Sequence, residues 1–186
     1  SNSIRSKYNL LNKKVCLFCG RLDGWAGIDI VFKLCRKFRK YPDIKFVIVG
    51  SGAKSHKIPQ NAIVLGEIPY KDIPEILSIA DVVLVPFPDN EVSHAASPLK
   101  LFEGMAMRKA TIASKVKGIE EVLIHGKNGI LVNPNDINGW EKFALLILNS
   151  RDLARKIGEE ARHTVEKQYD WDILSKQYQE VITKVN

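Results

Sequence analysis

The sequence has no apolar run approaching the roughly 20 residues that a membrane-spanning helix requires, and no signal-peptide pattern opens it. It has three cysteines, too few for an even disulfide framework. Two of them, Cys16 and Cys19, form a C-x-x-C inside the apolar run Val15–Cys19. In a strand, residues three apart point to opposite faces, so this pair shares neither a metal nor a disulfide; buried small apolar residues in a reducing compartment are the expectation. His56, His94, His125 and His163 lack metal-ligand spacing with one another. There is no G-x-G-x-x-G fingerprint and no P-loop lysine signature. Internal repeats, low-complexity tracts and linkers are also missing.

What remains is a chain of 186 residues, 45% hydrophobic and 26% charged, which suits one soluble globular domain with a sizeable core. Ser1, Asn2 and Ser3 look like an expression scar, so the domain is taken as 4–186, with an N-terminal portion of the protein expected elsewhere. The net charge of +7 invites an anionic partner, but the basic residues are scattered. The densest group, Lys33, Arg36, Lys37, Arg39 and Lys40, has the spacing of a solvated helix face. No basic stripe interleaved with aromatics argues for nucleic acid. The expected location is cytoplasmic, with peripheral contact at the cytoplasmic membrane face as the second reading.

Short apolar runs alternate with helical patterns. Val15–Cys19, Lys45–Val49, Ala62–Leu65, Val82–Val85, Ala110–Ala113 and Gly129–Val132 read as strands that are apolar on both faces, as in a parallel sheet covered by helices on both sides. Helical patterns occupy Ile28–Arg39, Lys71–Ile79, Pro98–Met107 and Ile119–Ile124, and a tail of helices follows at Ile137–Leu148, Asp152–Lys167 and Trp171–Lys184. The fold class expected is α/β: one Rossmann-like domain with a six-stranded, doubly wound parallel sheet and a C-terminal helical tail. Ligands bind at the carboxyl ends of such strands, which singles out the loops Gly20–Gly27, Gly50–Ser55, Gly66–Tyr70 and Pro86–Pro98.

One constellation stands out at Ser97-Pro98-Leu99-Lys100-Leu101-Phe102-Glu103. Ser97 suits an N-cap and Pro98 the first helical position, so the spacing predicts a helix start above the sheet. The free N–H groups and the positive dipole end of such a helix form an anion site. Lys100 sits in the first turn, against the dipole preference for acids, which makes sense if the guest is a phosphate. Glu103 lies in register with it, so a Lys–Glu surface pair on an ordinary helix is the competing reading. The loop Gly20-Arg21-Leu22-Asp23-Gly24-Trp25-Ala26-Gly27 permits close approach to a phosphate, and Arg21 can bind one bidentately. A structural turn accounts for that loop equally well. Gly50-Ser51-Gly52 is a further glycine-rich strand end. His94, in the loop before the Ser97 helix, is a candidate for contact with a sugar or phosphate. Asp170-Trp171-Asp172 reads as an N-cap with a packed tryptophan rather than a metal pair.

Taken in order, these pieces resemble the C-terminal domain of family 4 (group 1) glycosyltransferases of the GT-B type. The matching stretches are Gly20-Arg21-Leu22 with Trp25-x-Gly27-x-Asp29, Phe46 to Gly52, Ala80 to Pro86, Ser97 to Ala106, Gly118 to Val122, Asn128 to Val132, Pro134 to Asp136, and Tyr169 to Trp171. The resemblance implies that this domain holds a nucleoside diphosphate-sugar, such as a UDP- or GDP-sugar, while a separate N-terminal domain holds a glycan or lipid-linked acceptor. It implies transfer of a hexose with retention of configuration and without a metal or other cofactor. Arg21 then binds the diphosphate, Glu103 the ribose hydroxyls, and Lys100 joins them in the catalytic set. Gly20, Gly50, Gly52, Gly66, His94, Ser97, Pro98 and Leu99 are the implied donor-binding positions.

Two departures stand against the family pattern. Ala26 occupies the place of a phosphate-binding lysine, and Ala95 the place of an acid that contacts the donor sugar. Lys100 is the expected substitute for the missing cation, and Glu91 or His94 for the missing acid. The same two alanines motivate the alternative of a non-catalytic nucleotide-binding module. A receiver- or flavodoxin-like domain is the third reading, and Arg21 at the first strand end argues against it.

Overall fold

The structure, a computed structural model, describes residues 2–22, 25–52 and 57–185. Gly24 of the first glycine-rich loop, residues 53–55 of the second, and His56 lie outside the described residues, as does Ser1.

Six strands form one parallel sheet in the order β3-β2-β1-β4-β5-β6. They are β1 (Lys14–Cys19), β2 (Ile44–Val49), β3 (Ala62–Gly66), β4 (Val82–Val85), β5 (Thr111–Ser114) and β6 (Ile130–Val132). Each was expected from its β-branched apolar run, with bounds displaced by a residue or so. The central strands β1, β4 and β5 are apolar or small on both faces and nearly fully buried. Cys16 packs into the core on one side of the sheet and Cys19 against the core on the other, as alternation along a strand demands.

Helices cover both faces. On one side lie α2 (Ile28–Lys37) and α7 (Ile137–Asn149); Ile28, Val31, Phe32 and Trp140 face the strands there. On the other lie α3 (Ile73–Ser78), α5 (Leu99–Ala106), α6 (Lys117–Glu120) and α8 (Arg151–Gln168). The last helix, α9 (Trp171–Val185), packs weakly against α8. Of the basic group on α2 and the turn after it, Lys37 and Lys40 both pair with Glu141 of α7.

Several details depart from the sequence reading. A helix α1 (Asn2–Lys7) takes in Asn2 and Ser3, and its Arg5 donates to the carbonyl of Ile79 and pairs with Asp81. The segment Pro86–Pro98 is not all loop: α4 (Glu91–Ala95) forms within it, capped by the Asn90 side chain. The helix expected at Ile119–Ile124 is shorter and begins earlier, at Lys117. The Asp170 carboxylate and carbonyl do cap α9, through Asp172, Ile173 and Leu174, but Trp171 is 78% exposed rather than packed.

Candidate functional site

The strand order reverses between β1 and β4, so their two following loops diverge and leave a crevice. The crevice is a cleft of about 570 Å³. Its wall contains Gly20, Arg21, Trp25 and Ala26 from the loop after β1, and Ile68 and Tyr70 from the loop after β3. Phe87 and Val92 come from the segment after β4, and Pro98, Leu99, Lys100 and Glu103 from the start of α5. Trp25, Tyr70, Val92 and Leu99 are large apolar or aromatic residues left exposed at this one place.

Glycines shape the floor by letting backbones touch. Gly27 has φ 72°, and a Cβ there would stand 1.8 Å from the carbonyl oxygen of Pro86, so the β1 and β4 loops close on each other only through a glycine. A Cβ on Gly50 would meet the carbonyl oxygen of Gly20 at 1.9 Å. The loops after β1, β2 and β3 are also tied together by Gly20 N–H to Val49, Leu22 N–H to Ser51, and Gly50 N–H to Gly66. Gly50 and Gly52 therefore have a packing reason to be glycine, since the backbone of Gly20 and Leu22 fills the space above them. Gly66 has open space there. None of these three forms part of the cleft wall; Gly20 does.

α5 begins one residue later than its sequence signals suggest. Pro98 is the capping residue, in extended conformation and with no side-chain cap, while Ser97 is exposed and does not serve as the N-cap. The extended backbone at Pro98 places that residue before the first helical turn rather than within it. The first intrahelical bond runs from Leu101 N–H to Pro98, so among the described residues the preceding amides of Leu99 and Lys100, two residues of the cleft wall, are the helix's unpaired donors.

Lys100 is not a surface partner of Glu103. Its ammonium lies 5.1 Å from the centroid of the Phe18 ring and 4.9 Å from that of Phe87. It also presses on Gly20, where a Cβ would stand 2.6 Å from Nζ. Burial lowers its pKa to about 8, against the smaller opposing pull of Cys19 and Glu103. Glu103 is half-buried, and desolvation raises its pKa while the Tyr70 hydroxyl and Lys100 favour the carboxylate. Cys19 beside them is pushed up to about 12 by burial, so it stands as a neutral thiol.

The other expected contributors are placed as follows. Arg21 is exposed and lines the cleft. Ala26 is buried, and its Cβ borders the same face of Gly20 as the Lys100 ammonium. Ala95 and Glu91 are exposed on α4 and lie outside the cleft wall. His94 uses both ring nitrogens inside the protein: Nδ1 accepts from the backbone N–H of Lys117 at 3.1 Å, and Nε2 donates to Asp89 at 2.9 Å. Ile68, Tyr70 and Phe87 lie in loops singled out from the sequence but were not named as site residues, and Phe18 was missed. Phe18 lies within the apolar run of β1, and only the fold shows that Lys100 of α5 stands over its ring and that of Phe87. Among the described residues no group of three or more His, Cys, Asp or Glu is arranged to hold a metal ion, and no helix is long and apolar enough to cross a membrane.

Comparisons with known proteins bear on the family and the fold. The family model of "Glycosyl transferases group 1" matches residues 1–164. The N-acetyl-alpha-D-glucosaminyl L-malate synthase of Bacillus anthracis is 30% identical over 149 residues, covering 75% of this chain and 37% of that protein. The alpha-maltose-1-phosphate synthase of Mycolicibacterium smegmatis is 27% identical over 199 residues, covering 95% of this chain and 49% of its own length. Among solved structures, Anabaena HepE in complex with UDP superposes with a TM-score of 0.82 at 19% identity, over 98% of this chain and 52% of that one. The chain thus spans about half the length, or less, of the curated relatives it matches.

Proposed function

The chain belongs to the group 1 glycosyl transferases, and from that premise we propose that it is the part of such an enzyme that holds a nucleoside diphosphate-sugar donor. The observation that carries this reading is the Lys100 ammonium, held between two aromatic faces at the start of α5 and open to a cleft at the switch point of the sheet. Among the described residues no acid forms an ion pair with this ammonium, and a cation kept so in an apolar cleft is costly unless an anion arrives to meet it. The unpaired amides of Leu99 and Lys100, the helix dipole and Arg21 favour the same guest, a diphosphate.

In this reading Glu103, one turn along α5, accepts from the ribose hydroxyls, and the base lies toward Ile68 and Tyr70. HepE, of the same fold, has been solved with UDP and with UDP-glucose, which supports a UDP-sugar as the first donor to test. Lys100 substitutes for the cation missing at Ala26, since both side chains border Gly20. During transfer the bond from the anomeric carbon to the diphosphate breaks, and negative charge grows on the leaving phosphate oxygen. Lys100, Arg21 and the α5 amides are preorganised to stabilise that charge without a metal. We assign the acceptor, a glycan or lipid-linked sugar, to another domain of a longer chain, and take hexosyl transfer with retention as the reaction.

The test is calorimetric titration of the chain with UDP-, GDP- and ADP-sugars, repeated with Lys100→Met and Glu103→Gln. A nucleotide that binds the unaltered chain and loses affinity in both variants is expected. Equal affinity in all three proteins would remove the cleft from consideration. The alternative of a module without chemistry rests on Ala26 and Ala95. It predicts that Ala26→Lys in the longer enzyme raises affinity without raising turnover.

A further inference from the structure

The wall of the cleft formed by α4 rests on α6, with Ser93 buried. The helix is five residues long and carries Val92 into the cleft, and it runs through Ala96 and Ser97 directly into Pro98 and α5. Two features of that seat stand out. His94 Nδ1 accepts from the backbone N–H of Lys117, the first residue of α6, and so serves as that helix's cap from a distant segment. Because Nδ1 accepts, the proton of the neutral ring is on Nε2, which donates to Asp89 and fixes both tautomer and ring orientation. Beside it Gly118 lies flush against the chain, where a Cβ would stand 2.2 Å from the carbonyl oxygen of Ala96. Both ring nitrogens being committed, His94 has no nitrogen left for a sugar or a phosphate.

We infer that His94 is a positioning residue: with Asp89 orienting it, its imidazole docks α4 onto α6 and thereby sets where Val92 and the start of α5 stand in the nucleotide cleft. The importance of that wall rests on the reading of the cleft given above, but the docking itself does not. Asparagine places its Oδ1 close to the position of Nδ1 and can still accept from Lys117, whereas glutamine reaches toward Asp89 and leaves the α6 cap open.

The experiment compares the unaltered chain with His94→Asn, His94→Gln and His94→Ala, reading UDP affinity by calorimetry and amide hydrogen exchange of residues 90–98 and of Lys117. Loss of the charge-free cap is expected to raise the Kd for UDP about five- to tenfold in the Ala and Gln variants, and by about twofold or less in Asn. Exchange of 90–98 and Lys117 should accelerate in Ala and Gln and stay near the original rate in Asn. An Asn variant as weak in UDP binding as Ala, with exchange unchanged in both, would make His94 a direct ligand contact and overturn the inference. So would an Ala variant that matches the unaltered chain in both readouts. If the unaltered chain binds no UDP, the reading of the cleft fails, and the exchange rates alone then decide whether His94 docks α4.

Discussion

Two lysines, one at each end of the sheet, show how differently a half-buried cation can be treated. Lys109 lies at the amino ends of the strands, where its ammonium donates to the carbonyls of Ser78 and Ala80 at 2.8 and 2.9 Å, near the Arg5–Asp81 pair. Lys100 lies at the carboxyl ends, between Phe18 and Phe87, and among the described residues no such carbonyls reach it. Desolvation lowers the pKa of both. At Lys109 fixed backbone acceptors replace the lost water, and the result is structure. At Lys100 the replacement is left to whatever enters the cleft, as the proposed donor site requires.

The largest effect should come from breaking the satisfied lysine. Lys109→Met strips two carbonyls of a charged donor, and a loss of about 2–4 kcal/mol of stability is expected. Thermal denaturation by circular dichroism should show a midpoint lower by roughly 5–15 °C for a domain of this size, with UDP affinity of the folded protein unchanged. Lys100→Met should do the reverse. Stability holds or rises slightly, while calorimetry shows about 2 kcal/mol less affinity for UDP because the diphosphate loses its charged donor. If Lys100→Met were the variant that unfolds and Lys109→Met the one that binds poorly, the contrast drawn between them would be inverted.

Titration sharpens the same contrast. Lys100 has a folded pKa of about 8, below its unfolded value of 10.5. Between those values the unfolded chain holds more protons, so the Lys100 contribution to stability increases as pH rises from about 8 to 10.5. Binding a diphosphate requires the charged form, so affinity should fall above pH 8, by at most about tenfold per pH unit. Lys109 shifts in the same direction and adds to the stability trend but not to the affinity trend. The difference between the unaltered chain and Lys100→Met, measured in both assays from pH 7 to 10, isolates the one group.

Two smaller effects concern the surroundings of Lys100. Glu103→Gln should cost about 1 kcal/mol in affinity for UDP and nothing for pyrophosphate, since the ribose is its proposed partner. The smallest change is expected from Ala26→Lys, introduced with Lys100→Met. Return of a cation beside Gly20 should recover on the order of 0.5–1 kcal/mol of the lost UDP affinity. No recovery would separate position 26 from the phosphate subsite.

The strands were legible because each is a short β-branched run whose burial on both faces leaves little room for another reading, and β4 was predicted to the residue. The helix starts were less so. Ser97 and Pro98 carry the signals of a capped first turn, yet the extended backbone at Pro98 moves the cap to that residue and leaves the serine outside. The glycines at 50 and 52 signalled closeness to something, but sequence cannot say that the neighbour is the backbone of Gly20 and Leu22. His94 stood in the right loop, and its partners, Asp89 and the amide of Lys117, come from five residues before it and from the far side of β5.

By itself the sequence determined the α/β class, the six strands and, through its ordered motifs, the family. These follow from periodicity and residue type, which act over a few neighbours and survive in any linear reading. Only the tertiary structure decided that Lys100 faces Phe18 and Phe87 rather than Glu103, that His94 is spent on α6, and that Gly50 and Gly52 serve packing. Each of these depends on residues dozens of positions apart, brought together when β1, β4 and β5 align in one sheet and the loops above them compete for the same space.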